Sequence, residues 1–106
     1  MEASERHFTV KIMPPARKRM SEHFMFLARV NVVAAEKLLQ TLLADMRSLE
    51  YLPNRHPFYQ RPGLTPNTYR FMISAKRYRL VYRVTNNIVF IDDIQDCRQE
   101  NDKNIV

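Results

Sequence analysis

The chain has few of the residues that build covalent or metal-based sites. Its single cysteine, Cys97, can form neither an intramolecular disulfide nor a cysteine-based metal site. The histidines His7, His23 and His56 show no ligand spacing, and the only glycine, Gly63, excludes a glycine-rich phosphate loop, so we expect no metal and no cofactor. No apolar run approaches the roughly 20 residues that span a bilayer, and the N-terminus has no apolar signal core. These absences predict a cytoplasmic protein without a membrane partner.

The composition is typical of one folded domain with an excess of basic residues. Apolar residues make up 45% of the 106 residues and charged residues 26%, and no linker divides the chain, so 1–106 is predicted to be a single domain. The formal net charge of +6 favours a polyanion or an acidic protein as partner. This charge is concentrated, because Tyr69–Arg83 carries five bases and no acid, whereas Ile88–Val106 carries five acids and two bases.

The N-terminal half predicts one strand followed by a helical hairpin. Phe8–Ile12 alternates apolar and polar residues, which is typical of a strand with one buried face. Two prolines then suit the first turn of a helix over roughly Pro15–Val30. Asn31 is a good N-cap for a second amphipathic helix that reaches about Leu52. The short connection between the helices predicts a hairpin that presents a shared apolar face to a sheet.

The C-terminal half predicts a three-stranded antiparallel meander. Its strands are Tyr69–Ile73, Tyr78–Thr85 and Ile88–Ile94, which are separated by short turn segments. Asn54–Thr68 contains three prolines and lacks periodicity, so we expect an irregular surface connection. The predicted fold class is therefore α+β: an N-terminal strand, a helix hairpin and a meander, with the helices on one face of the sheet.

The apolar stripe of the second helix is expected to pack against the aromatic side of the meander, including Phe71 and Tyr82. The members of this stripe are Leu38, Leu39, Leu42, Met46 and Leu49.

Strand alternation predicts a basic patch on the other side of the sheet. In Tyr78–Thr85, Arg79 and Arg83 lie opposite the aromatic residues, and Arg70 separates in the same way from the aromatic residues of its own strand. With the helices over the aromatic side, Arg70, Arg79 and Arg83 are predicted to form one patch that suits phosphate, since guanidinium donors match its oxygens in pairs. The alternative is a solvated face that contributes only to solubility.

Other polar residues have two interpretations each. His56, in the irregular connection, is interpreted as an exposed spectator, with a general acid or base as the alternative. Three acids near the end of the last strand are expected to form salt bridges to Arg79 or Arg98, with proton transfer from a nucleophile as the alternative. These acids are Asp92, Asp93 and Asp96.

Four segments resemble the C-terminal half of toxins of the RelE/ParE family: Tyr69–Ile73, Lys76–Val84, Val89–Ile91 and Cys97–Gln99. The most specific part is the Tyr-Arg-Leu-Val-Tyr-Arg-Val strand that starts at Tyr78. The order of the elements before these segments matches as well, so the resemblance covers nearly the whole chain. It implies the toxin of a bacterial type II toxin–antitoxin system, neutralised by a cognate antitoxin that wraps its surface.

The resemblance implies one of two toxic activities. A RelE-like toxin enters the ribosomal A site and cuts mRNA, with basic residues around the phosphate as the RNA's own 2′-hydroxyl attacks. A ParE-like toxin instead poisons DNA gyrase. We expect the first activity, with the ribosome and mRNA as partners. The alternatives are gyrase inhibition without nuclease activity, or a degenerate member that still binds the antitoxin.

The same resemblance assigns roles to basic residues. Arg70, Arg79 and Arg98 match basic positions of RelE-like toxins and are the predicted catalytic residues. The chain departs from that pattern at Met72, where a RelE-like toxin has a second lysine, and at Cys97, which replaces the usual neighbour of the last arginine. No pair for proton transfer is evident. The predicted nucleic-acid-binding residues are Arg70, Lys76, Arg77, Arg79 and Arg83.

Overall fold

The computed structural model describes residues 7–98 of the chain, which form two long helices and one sheet. The elements in chain order are β1 (Thr9–Ile12), α1 (Pro14–Ala28), α2 (Val32–Ser48), a short 3₁₀ helix (Pro53–Arg55), β2 (Tyr69–Ser74), β3 (Tyr78–Thr85) and β4 (Ile88–Asp96). Strand, helix hairpin and meander thus occur in the predicted order, and the α+β fold class is confirmed. No helix in this part of the chain has the length and apolar character needed to cross a membrane.

Local sequence accounts for the ends of the helices. Prolines occupy the first turn of α1, where a missing amide hydrogen costs no hydrogen bond. The Asn31 side chain accepts a hydrogen bond from the amide of Ala34 at 3.0 Å, which confirms the predicted cap of α2. α2 ends at Ser48, earlier than predicted, because the next turn tightens and the carbonyl of Glu50 accepts the amide of Phe8 at 2.8 Å. This last bond ties the end of the hairpin to the start of β1.

The four strands lie in the order β1-β4-β3-β2. β2, β3 and β4 pair antiparallel, as the meander predicted, and β1 pairs parallel with β4 at the edge of the sheet. The pairing of β3 with β4 shifts between Val81 and Tyr82: Val81 lies opposite Asp93, and Tyr82 lies opposite Ile91. Asp92 is therefore the extra residue of a β-bulge.

The core lies between the helix hairpin and one face of the sheet, which we call the core face; the other is the open face. Leu42, Met46 and Tyr82 are at most 2% exposed, which confirms the predicted packing of α2 on β3. Leu39 is only partly buried and lies outside the core cluster. The buried residues of this cluster are Phe8, Ala16, Leu38, Leu42, Met46, Leu49, Tyr78, Leu80, Tyr82, Val89, Ile91 and Ile94.

The register of β2 reverses the faces predicted for it. Residues directly opposite one another in an antiparallel pair share a face, and Arg70 lies opposite the buried Tyr82. Met72 likewise packs against the core, whereas Phe71 lies opposite Val81 on the open face. The prediction that Phe71 packs under α2 is therefore wrong. Its ring contacts that of Tyr59 instead, with centroids 5.9 Å apart.

Leu42→Ala should lower the free energy of unfolding by about 2–5 kcal/mol, because it leaves a cavity in the centre of the core. Leu42 is 1% exposed, whereas its neighbour Leu43 is 37% exposed. Leu43→Ala is thus a matched control and should cost less than about 1 kcal/mol. Urea denaturation measures both, and equal losses for the two variants would contradict this position of α2.

Candidate functional site

The open face and the loop before β2 enclose a cleft of about 600 Å³. The loop contributes aromatic and aliphatic walls, and β4 contributes polar groups. The lining residues include Tyr59, Leu64, Tyr69, Asp92, Asp93 and Gln95. The cleft thus combines apolar walls with a few converging polar groups, which is typical of a binding site.

The loop keeps its place because its first part runs along the edge of β2 like a short additional strand. The amide of Tyr59 donates to the carbonyl of Tyr69 at 2.6 Å, and the amide of Phe71 donates to the carbonyl of Pro57 at 3.1 Å. The side chains of Gln60 and Asn67 also bond to each other at 2.7 Å across the loop. The irregular segment predicted from its prolines is therefore an ordered wall of the cleft.

Arg79 lies on the open face, as predicted, and borders the cleft. Its Nη1 donates to Oε1 of Gln95 at 2.9 Å, and this oxygen also accepts the hydroxyl of Tyr59 at 3.2 Å. The guanidinium lies 5.2 Å from the ring centroid of Tyr59 and 5.5 Å from that of Phe71, within the range of cation–π attraction. These contacts hold the Arg79 side chain in one position.

Arg83 also lies on the open face, where its charge is compensated. Its Nε donates to Oδ2 of Asp92 at 3.0 Å, and its guanidinium stacks 4.4 Å from the ring centroid of Phe90. Burial raises the pKa of Asp92 above its usual range; the charge and hydrogen bond of Arg83 oppose this rise, and the charge of Asp93 adds to it. The bulge thus places the carboxylate of Asp92 in contact with Arg83, one of the arginines predicted to bind phosphate.

Arg70 lies on the other side of the sheet from Arg79 and Arg83. Its Nη1 donates to the carbonyl of His56 at 2.6 Å, and its guanidinium lies 3.9 Å from the ring centroid of Phe58. Arg70 therefore fastens the loop to β2 from the core side. The predicted patch of three arginines on one face is wrong, because the register of β2 with β3 separates them.

The remaining predicted site residues gather at the far end of β3 from Arg83. Arg77 forms a two-pronged ion pair with Asp96, with Nη2 at 2.8 Å and Nε at 3.3 Å from its carboxylate oxygens. Burial would raise the pKa of Asp96, but the bonds from Arg77 and from the amide of Arg98 outweigh it and lower this pKa. Lys76 and the Arg98 side chain are exposed. The structure does not bring these residues together with Arg83.

The three acids of β4 form salt bridges, as predicted, and their partners include arginines that the sequence did not suggest. Asp92 and Asp96 pair with Arg83 and Arg77 as described above, and Asp93 lies 3.4 Å from Arg19 of α1. Arg98 reaches Asp96 only through its backbone amide, at 3.0 Å. The sequence pattern does not reveal the role of Arg19, because no local signal connects a helix residue to a strand so distant in sequence.

His56 is partly buried and not the exposed spectator that the sequence suggested. Its ring lies edge-on to Tyr82 at 6.3 Å between centroids, and its Nε2 is buried with no hydrogen-bond partner in the described part of the chain. Burial lowers the pKa of His56, and the charges of Arg55 and Arg70 lower it further. The neutral imidazole is thus the form that fits this site.

The architecture is that of a small α+β domain with a cleft on the open face of its sheet. Among solved structures the fold is similar to "Chromosomal ParDE TA system from P. aeruginosa", with a TM-score of 0.69, 16% identity, and coverage of 86% of this chain and 97% of that chain. Residues 10–101 match the family described as "ParE toxin of type II toxin-antitoxin system, parDE". The chain therefore belongs to the ParE toxin family of type II systems, and the predicted RelE/ParE membership is confirmed. No curated protein matches the sequence.

Acidification should weaken the fold through His56. Its pKa is lowered in the folded state from the ordinary value of 6.5, so the unfolded chain binds more protons once the pH falls below that value. This contribution is fully present above pH 6.5 and is lost as the pH falls towards the lowered pKa. Thermal melts between about pH 7.5 and 5.5 should show a smaller loss of Tm for His56→Asn than for wild type.

The exposed His7 provides the matched control for this measurement. His7→Asn should keep the acid sensitivity of the wild-type protein. If His56→Asn and wild type lost the same Tm on acidification, the neutral, buried character of His56 would be refuted.

Proposed function

We propose that this ParE-family toxin acts by inhibiting DNA gyrase and not by cutting mRNA. Membership of the family makes the chain the toxin of a type II toxin–antitoxin system. The choice between the two targets rests on one observation: Arg70 lies on the opposite face of the sheet from Arg79 and Arg83.

An RNA-cleaving site needs several cations around one phosphate, together with a base and an acid for proton transfer. With Arg70 on the core face, only Arg79 and Arg83 of the three predicted arginines remain on the open face, and Arg83 is paired with Asp92. Among the residues that line the cleft, the carboxylates of Asp92 and Asp93 outnumber the one cation, Arg61, and carboxylates repel a phosphate. This electrostatic arrangement favours a protein target over an RNA backbone.

We also propose that a cognate antitoxin binds this toxin in the cytoplasm. The net charge of +6 suits an acidic partner chain. The tip of the helix hairpin exposes neighbouring apolar side chains, with Phe26 at 63%, Val30 at 82% and Val33 at 74% exposure. Exposed apolar clusters of this kind are typical of surfaces that another protein covers.

Purified toxin should prevent gyrase from supercoiling relaxed plasmid in the presence of ATP. Addition of the cognate antitoxin should restore supercoiling, because the toxin is then occupied. Cells in which the toxin is induced should show no new mRNA 5′ ends. Full gyrase activity at a toxin excess, combined with translation-dependent mRNA cleavage, would reject the proposal.

mRNA cleavage is the second candidate because Arg79 is held at the border of the cleft on the open face. In that case Arg79→Ala should abolish the new 5′ ends, and Arg79→Lys should restore them only in part, since lysine lacks paired donors. Arg47→Ala, which removes an exposed arginine of α2, is the matched control and should leave cleavage intact. A loss of cleavage in Arg47→Ala equal to that in Arg79→Ala, with the fold unchanged by circular dichroism, would count against this role of Arg79.

A further inference from the structure

Three exposed basic side chains lie where β1 passes into α1, at the edge of the sheet. They are Lys11, Arg17 and Lys18, and we call this surface the β1–α1 corner. We propose that the β1–α1 corner binds the phosphate backbone of double-stranded DNA. This inference goes beyond the proposed function and involves none of the residues assigned to the cleft.

The corner combines positive charge with a lack of compensation. Residues 8–21 include four bases and no acid, and Glu22, which lies beside Arg17 and Lys18, is within ion-pair distance of Arg19. Arg19 forms ion pairs with Asp93 at 3.4 Å and with Glu22 at 3.9 Å. In contrast, Lys11, Arg17 and Lys18 form no ion pair with any residue between 7 and 98. Their charges are therefore available to an anionic partner.

Local geometry places these charges along one edge of the sheet, because β1 is its last strand and α1 begins two residues after β1 ends. Nη2 of Arg17 lies 3.4 Å from the carbonyl of Ile12, so the guanidinium folds back onto the end of the strand that carries Lys11. Lys18 follows in the second turn of α1, whose first turn contains no acidic residue. The positive end of the α1 dipole points the same way and strengthens the field.

The corner exposes prolines but no large hydrophobic side chain, which distinguishes it from a typical protein-binding surface. Protein interfaces depend on buried apolar and aromatic anchors, whereas contacts to phosphate need only cations and other donors. Every large hydrophobic side chain with substantial exposure in the described chain lies elsewhere, at Met25 or beyond. The corner thus fits a polyanion better than an acidic protein, which would cover the hairpin tip instead.

The corner also favours a duplex over a single strand. Proteins that bind single strands stack the bases on aromatic side chains. Phe8 is the only aromatic residue within residues 8–21, and it is 7% exposed and belongs to the core. A double helix presents phosphates at a higher density than a single strand, so a surface that offers only cations gains more from the duplex.

The test is binding of the full-length toxin, free of antitoxin and without gyrase, to a fluorescent duplex of about 20 base pairs over a series of salt concentrations. The variant Lys11→Gln, Arg17→Gln, Lys18→Gln removes the corner charges. The control Arg29→Gln, Lys37→Gln, Arg47→Gln removes three exposed charges from the helix hairpin and has the same net charge. Circular dichroism establishes that both variants are folded.

The corner variant should bind at least about tenfold more weakly than wild type. The slope of log K against log salt concentration should become shallower by about 2–3, or about one for each lost phosphate contact. The hairpin control should stay close to wild type. Equal losses in the two variants would show that only net charge matters and would overturn the proposal, as would tighter binding to a single strand of the same length. Because gyrase is absent from this assay, its outcome is separate from that of the supercoiling experiment.

Discussion

Burial of Tyr82 is the interaction on which the arrangement of both faces of the sheet depends. Its ring is 0% exposed under the helix hairpin, and its hydroxyl donates to the carbonyl of Pro53 at 2.5 Å. Burial raises the pKa of this hydroxyl to about 12, so it remains a hydrogen-bond donor at any physiological pH. The bond fixes the chain just after α2, and from there the loop runs back along β2 to form the wall of the cleft. One buried phenol thus connects the core to the site on the opposite face.

Pairing with Tyr82 also explains the main error of the sequence interpretation. In β2, Tyr69, Phe71 and Ile73 form one alternating set, and Arg70 and Met72 form the other. Each set contains an apolar side chain that can enter a core, so alternation alone does not show which set faces the helices. The aromatic set appeared to be the inner one. The register with β3 decides otherwise, and it depends on a partner strand that no pattern within β2 reveals.

The elements themselves were predictable because they depend on local signals. The two prolines before α1, the Asn31 cap and the alternation in β3 all act within a few residues, and the structure has each element near its expected place. The cleft depends on distant contacts, such as the bond from Tyr59 to Gln95 across 36 positions. Contacts of this kind arise only when the sheet has formed, and for this reason Tyr59, Tyr69 and Gln95 were not recognised as site residues.

The bulge at Asp92 shifts the alternation of inward and outward side chains along β4. Ile91 and Ile94 are three positions apart and yet both are 0% exposed, although an odd separation in a regular strand would place them on opposite sides. The additional residue resets the alternation, so that an isoleucine from each half of the strand is available to the interior. The number of residues in β4 is therefore as closely constrained as their identity. Deletion of one residue here would turn the side chains of one half of β4 to the wrong face of the sheet.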